Sequence, residues 1–514
     1  MNMISTLMPL TPMIIVGLTA VLVMLLVAVK RQHDLIATVT VIGLNIAFIS
    51  LFWQGFSQYS TVLASMPVEQ LQYITFSDKV ELFMRVSMQA HNVMGLFVID
   101  GFALFNMALI LIAALACCTL AHAYIASYTS NREELYILLL IAVAGGMALA
   151  ASSHMTSFFL SLELLSVPIY GMLAYTHERS KSLESGIKYL VLSATASAAL
   201  LMGMAFLYAY TGTMDFRDLG QVVAQVVHEP IVVMGLGLIV VAIAFKLSLA
   251  PFHAWTPDVY QGAPAPMATF LATVSKVAML AVALRFLLVS ASLALDGVVT
   301  VLTIIAVLSI LVGNLLAVRQ VNLKRLLGYS SIAHFGYILV AIICLGVSSV
   351  ATVNIYIVTY VLTTIGAFGA VALMSSPYGS NDAESIADYR GLFWRRPVLT
   401  AVLTVMMLSL AGIPLTAGFI GKFFVVMAAV QNMSWFLAAM VIVGSAIGLY
   451  YYLRVMVVLY MTPPDTPRID AQTNWGVRAG GIMVLLTSLL VLLLGVYPQP
   501  LIKLAAIAQI VVMQ

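Results

Sequence analysis

One carboxylate and three ammonium groups lie in stretches that are otherwise apolar: Glu163 in SFFLSLELLSVPIYGMLAY, Lys246 in IVVAIAFKLSLA, Lys276 in TFLATVSKVAML and Lys422 in GFIGKFFVVMAA. A charge at the centre of a bilayer costs roughly 2.5–3.5 kcal/mol on insertion scales. Residues that persist against such a cost point to proton transfer. Desolvation and a neighbouring carboxylate pull a lysine's proton affinity in opposite directions. A lysine held between them can change protonation state when its partner moves. A fixed ion pair is the alternative reading, yet one carboxylate cannot neutralise three ammonium groups.

Other candidates are weaker. Lys188 sits about one turn inside its helix, where snorkelling to the interface explains it as well as function does. Arg285 and Arg454 could snorkel or pair structurally. His334, in SSIAHFGY, has a side chain suited to relaying a proton. Lone polar residues such as Ser330, Ser331, Tyr337 and Thr363 usually hydrogen-bond within a helix bundle. Asp258 and Gln261 read as helix caps. Cys117, Cys118 and Cys344 read as small apolar fillers, with no metal-ligand spacing.

The elements that must hold these groups are membrane helices. The 514 residues are 62% hydrophobic and 8% charged, against about 25% charged in a soluble domain. Runs of about 18 or more apolar residues mark spans near 12–29, 35–53, 98–121, 135–152, 154–175, 186–210, 231–259, 264–290, 298–318, 326–346, 350–374, 397–430, 434–461 and 479–500. The expected fold is an all-α polytopic membrane protein of about 14 helices, a single transmembrane domain. At 1.5 Å per residue, Glu163 lies about 13–15 Å into its span. The longest polar linkers run from Gln54 to Asn92 and from Ser375 to Arg396. The first apolar run reads as a retained helix and not a cleaved signal.

Two spans carry breakers. FKLSLAPFHAWTPDVYQGAPAP contains Pro251, and LSLAGIPLTAGFIGKFF contains Gly412 and Pro414. Non-helical backbone at membrane depth needs protein or a watery cavity around it. Both breaks carry the string Leu-Ser-Leu-Ala, and both have a lysine within eight residues, Lys246 and Lys422. Paired broken helices point to an inverted repeat. The breaks fall in spans 7 and 12, so the expectation is two five-helix repeats, spans 4–8 (135–290) and 9–13 (298–461). Spans 1–3 (1–121) would precede them and a last helix (479–514) would follow. Of the 23 lysines and arginines, only Lys79, Arg85, Arg217 and Lys503 fall on the side of the termini and even-numbered exits. The other loops, which include Arg468, hold most of the rest. That bias predicts both termini outside. A net charge of +3 gives no sign of nucleic-acid binding.

The stretches SLELLSVPIYGMLAY, SLESGIKYLVLSATASAALLMGMAFLYAYTG, FKLSLAPFHAWTPDVYQGAPAP and LSLAGIPLTAGFIGKFF resemble the antiporter-like membrane subunits of respiratory complex I. The resemblance is to the subunit N family of bacterial NADH–quinone oxidoreductase and covers about Leu135 to Tyr452. It implies a proton-translocating subunit in the bacterial inner membrane, driven by quinone reduction elsewhere. Carried over residue by residue, it implies that Glu163 and Lys246 interact, Lys276 passes the proton laterally, Lys422 releases it outward, and Lys188 matches the family's sixth-helix lysine. NADH, FMN, iron–sulfur clusters and quinone are expected in partner subunits, because Gly235 and Gly237 make no complete dinucleotide fingerprint and no cysteine cluster exists. The partners implied are the other membrane-arm subunits, lipid and protons. A subunit of a multi-subunit sodium/proton antiporter and a non-transporting membrane scaffold are the alternatives.

Overall fold

A computed structural model of the chain describes residues 7–511 apart from 66–81, 83–85, 87–88, 127, 129–130, 227–228, 376–381, 466–475 and 477. Lys79, Arg85 and Arg468, and most of the linker from Gln54 to Asn92, lie outside the described residues. The unbroken spans are α1 (Thr11–Val29), α2 (His33–Ser65), α3 (Gly101–Ile125), α4 (Glu134–Ala151), α5 (Met155–Leu173) and α6 (Ser180–Thr211). After the first break come α8 (Ala265–Val289), α9 (Asp296–Val318), α10 (Leu323–Leu345) and α11 (Ser349–Met374), and near the end α13 (Trp435–Tyr460) and α14 (Ala479–Val496). These are the 12 helices long and apolar enough to cross a membrane among the described residues. Two further spans are broken. The first comprises α7a (Pro230–Lys246) and α7b (Trp255–Gly262), the second α12a (Pro397–Ala411) and α12b (Ala417–Gln431). The chain is therefore an all-α multi-pass membrane bundle.

Helix ends follow local chemistry. The Asp100 carboxylate accepts from Ala103 N (2.9 Å) to start α3, and Asn322 accepts from Arg325 N (3.1 Å) to start α10. Gly212 ends α6 in the left-handed conformation. A short antiparallel hairpin, β1 (His91–Val93) with β2 (Phe97–Ile99), precedes α3. Its strands are too short to register in a hydropathy reading. The 264–290 span is not one regular helix either. It is interrupted at Thr273 (φ −116°, ψ −75°), without a proline or glycine to announce it.

Burial separates an inner from an outer layer. The cores of α8 and α10 are 89% buried and that of α11 is 94%, whereas α1 and α14 are 33% and α6 and α13 are 39%. The outer helices face lipid or neighbours with Leu, Val and Met. The inner ones carry Lys276 and His334 and enclose both breaks.

Candidate functional site

The α7a half-helix ends at Lys246 in a Schellman motif. Leu249 N donates to Ala244 O (2.8 Å) and Ser248 N to Phe245 O (2.9 Å). The Lys246 ammonium turns back between α5 and α6. It donates to Ser166 Oγ (2.8 Å) and Ser193 Oγ (2.6 Å) and lies 5.9 Å from the centroid of Tyr189. Ser193 also shares a hydrogen bond with Tyr170 OH (2.8 Å). Glu163, half-buried and three residues before Ser166, accepts from Ser197 Oγ (2.5 Å), one turn along α6 from Ser193. Glu163 and Lys246 thus sit on adjacent rungs of one α5–α6 ladder. No ion pair within 4.0 Å joins them.

Lys276, fully buried on α8, faces the end of α7a. Its ammonium donates to Lys246 O (2.9 Å) and to Ser248 Oγ, which also accepts from Thr256 Oγ1 (2.6 Å). The rings of Trp255 and Phe335 lie 5.3 and 5.4 Å away. The carbonyls freed at a helix C-terminus carry partial negative charge and suit a cation. Pro251, in a cis peptide bond with Ala250, lies in the unwound stretch.

The second break repeats the motif. Gly412 N donates to Ser409 O (3.0 Å) and Ile413 N to Leu408 O (3.0 Å), with Gly412 at φ 82°. Pro414 follows and Leu415 is also left-handed (φ 73°). The Lys422 ammonium, on α12b, donates to Leu410 O (2.8 Å) and Ala411 O (2.9 Å) and lies 5.5 Å from the Tyr337 ring. Ser409 Oγ accepts from Gly418 N (3.0 Å) and shares a hydrogen bond with Thr363 (3.0 Å).

His334 stands between the two breaks among phenols. Its Nδ1 is 2.7 Å from Tyr356 OH and its Nε2 3.4 Å from Tyr452 OH, which also bonds Ser330. Ser331 bonds Tyr360 OH (2.7 Å), and the rings of Tyr337 and Tyr360 lie 5.8 and 5.7 Å from the imidazole. Tyr337 OH accepts from Asn314 Nδ2 (2.9 Å). Phe335 separates this network from Lys276, with Tyr360 5.3 Å beyond it.

The remaining charged residues settle elsewhere. Lys188 is not hydrogen-bonded to the Lys246 ladder; it pairs with Glu184 (2.6 Å) and Asp258 (3.3 Å) at a part-exposed polar cleft. Asp258 also pairs with Arg325 (2.6 Å), to which Gln261 Oε1 accepts (3.1 Å), so these two residues bridge helices and do not cap ends. Arg285 makes a buried two-pronged pair with Asp100 (2.8 and 2.9 Å). Arg454 donates to Val318 O (2.8 Å) and Gln320 O. Lys324 donates to Ala263 O (2.6 Å) just past α7b and pairs with Asp382 (2.9 Å), which also holds Arg179 (3.0 Å) and Tyr124 OH (2.6 Å). Burial alone would raise the Asp382 pKa, but Lys324, Tyr124 and Arg179 hold its carboxyl below the ordinary value.

Sequence reasoning found the four deep charges and both breaks. It missed Ser166, Ser193, Ser197, Ser248 and Thr256, and the phenols of Tyr356, Tyr360 and Tyr452. A signal existed for some: Ser193 and Ser197 recur at i, i+4 on one face of α6, just as Glu163 and Ser166 recur at i, i+3 on one face of α5. The phenols carried none, because a tyrosine in an apolar helix reads as core.

Residues 152–448, more than half of the chain, match the family model described as NADH:quinone oxidoreductase/Mrp antiporter, TM. The NADH-quinone oxidoreductase subunit N of Acinetobacter baumannii is 64% identical, with 98% of this chain and 96% of that one covered. That of Ectopseudomonas mendocina is 52% identical over 98% and 97%. Among solved structures, a chain of respiratory complex I from Thermus thermophilus with bound aureothin is 30% identical with a TM-score of 0.76, covering 96% of this chain and 98% of that one. A chain of the Mrp complex from Dietzia sp. shares the fold (TM-score 0.76, 20% identical, 99% and 97% covered). Matched along nearly its whole length by relatives this similar, the chain belongs to the subunit N family of NADH-quinone oxidoreductase.

Proposed function

We propose that the chain is a proton-translocating membrane-arm subunit of an NADH–quinone oxidoreductase, and that its buried Glu/Lys groups carry the protons. The observation that carries this reading is the bonding of the three lysines. Lys246, Lys276 and Lys422 are buried, yet their ammonium groups meet hydroxyls, carbonyls and ring faces, with no carboxylate within 4.0 Å. Neutral acceptors suit both an ammonium and an amine, so such a site tolerates gain and loss of a proton. A group needed only as a fixed charge would be paired, as Arg285 is with Asp100.

In this reading Glu163 and Lys246 exchange influence through the Ser193–Ser197 ladder, Lys276 hands the proton toward His334, and Lys422 releases it. Lys188 lies to one side of this series. Spans 4–8 and 9–13 act as two inverted repeats built around Pro251 and Pro414. Both termini face outward from a bacterial inner membrane. Redox chemistry with NADH, flavin, iron–sulfur clusters and quinone belongs to partner subunits, whose reaction biases the buried charges electrostatically.

The test uses the assembled complex in liposomes. Lys246→Ala, Lys276→Ala and Glu163→Gln each lower proton translocation and coupled NADH oxidation. Undiminished pumping in all three sinks the proposal. Lys276→Arg retains a charge that cannot be shed, so it performs nearly as poorly as alanine. An arginine that works as well as lysine would make this position an electrostatic post and not a relay.

A further inference from the structure

The two half-helices that end at the breaks close with the same hydrogen-bond pattern, but the residue in the left-handed C′ position differs. At α12a it is Gly412 (φ 82°); at α7a it is Ser248 (φ 63°). That conformation suits glycine and, less well, asparagine and aspartate, because a Cβ crowds the following carbonyl. A serine held there, fully buried at membrane depth, asks what its side chain does. Ser248 Oγ accepts from the Lys276 ammonium and from Thr256 Oγ1 (2.6 Å). Together with Lys246 O (2.9 Å) it supplies the two hydrogen-bond acceptors of Lys276. The rest of that ammonium faces the rings of Trp255 and Phe335.

We propose that Ser248 is a positioning residue for Lys276 that serves it in both protonation states, an inference that rests on the proton-transfer reading above. A hydroxyl has two lone pairs and one rotatable proton. While Lys276 is an ammonium, the two lone pairs of Ser248 Oγ take the bonds from Lys276 and Thr256. When Lys276 is an amine, the Ser248 proton turns toward the free lone pair on Nζ, and Thr256 continues to donate to Ser248. The carbonyl of Lys246 can only accept, so it takes an N–H from either form but cannot donate to the lone pair of the amine. Ser248 therefore holds Nζ at the end of α7a throughout the cycle. The backbone conformation places Oγ there; glycine would satisfy the backbone and leave Nζ with one acceptor.

The experiment compares Ser248→Gly and Ser248→Cys with wild type in the assembled, liposome-reconstituted complex, with Lys276→Ala alongside. Glycine relieves the backbone and removes the acceptor. Cysteine keeps the shape and weakens the acceptor. Both are expected to assemble, to lose roughly tenfold in proton translocation, and to change the pH at which translocation is half-maximal, with the quinone KM unaltered. A purely structural serine would leave that pH in place, and glycine there would pump normally. Wild-type translocation in Ser248→Gly, or a uniform loss with an unmoved pH profile in both variants, overturns the inference. If Lys276→Ala itself pumps normally, the place of Lys276 on the proton path fails instead, so the two failures are distinguishable.

Discussion

The two helix breaks use one backbone device and obtain their lysine from different places. At α7a the capping ammonium arrives from a neighbouring helix, Lys276 of α8; at α12a it arrives from the other half of the same span, Lys422 of α12b. A third half-helix end, at Ala263 after α7b, also receives a lysine, Lys324, but this one is matched by Asp382. The difference teaches what makes a capping lysine mobile in charge. All three meet carbonyls at a helix terminus, and only Lys324 has a carboxylate that fixes it as a cation. In the proposed function the lysines without one act as relays, and the one with a counter-ion acts as an anchor.

Removing the unpaired lysines should break the function and spare the fold. Lys276→Ala and Lys422→Ala are expected to cut proton translocation by roughly 10²-fold, read as acidification of proteoliposomes, with normal amounts of assembled complex. The anchor should respond the other way. Asp382→Ala leaves Lys324 and Arg179 facing each other in a buried site and should cost about 3–5 kcal/mol. Thermal unfolding of the purified complex would register this, while pumping per assembled complex holds. Crowding the second C′ position sharpens the contrast with Ser248: a Cβ at Gly412 is strained at φ 82° and meets the Lys422 side chain. Gly412→Ala should cost about 1–2 kcal/mol in stability and lower pumping several-fold by displacing Lys422.

Two smaller effects complete the ranking. Asp382 has a folded-state pKa below its unfolded value, near 3.9 in model peptides. Its contribution to stability is therefore present above about pH 4 and is lost as pH falls through the lower folded value. Asp382→Asn should flatten that acid limb in a pH-dependent unfolding series. Lys188→Ala, at a part-exposed ion cluster, should change stability by less than about 1 kcal/mol and pumping by about twofold or less. A loss as large as that of Lys276→Ala would place the Glu184–Lys188–Asp258 cluster on the proton path.

The sequence made the membrane bundle legible because hydropathy over long runs is a strong signal, and the breaks were legible because proline and glycine have few other uses there. Register within the breaks was not. The shared Leu-Ser-Leu-Ala string suggests that Ser248 and Ser409 correspond. Hydrogen bonding pairs Ser248 with Gly412 instead, since Leu247–Ala250 is already unwound whereas Leu408–Ala411 is still the last turn of α12a. A four-residue string carries no information about where the i→i−4 pattern stops; the ammonium that meets the open carbonyls comes from elsewhere in the chain. The acid deep in the bundle was found at Glu163, but Asp100 was overlooked because it stands at the edge of its span and its partner Arg285 is 185 residues away. The Thr273 interruption and the hairpin before α3 were invisible for a similar reason: neither disturbs average hydropathy.

One hydrogen bond ties the first break to the second half of the chain. Ala250 N, in the unwound stretch where no helical carbonyl can take it, donates to Ser309 Oγ on α9 (2.9 Å). An amide without an acceptor at that depth is heavily penalised. The segment before residue 290 would therefore carry an orphan donor if it were made as a separate polypeptide. Neither portion should be stable as an autonomous fragment until the other has docked against it.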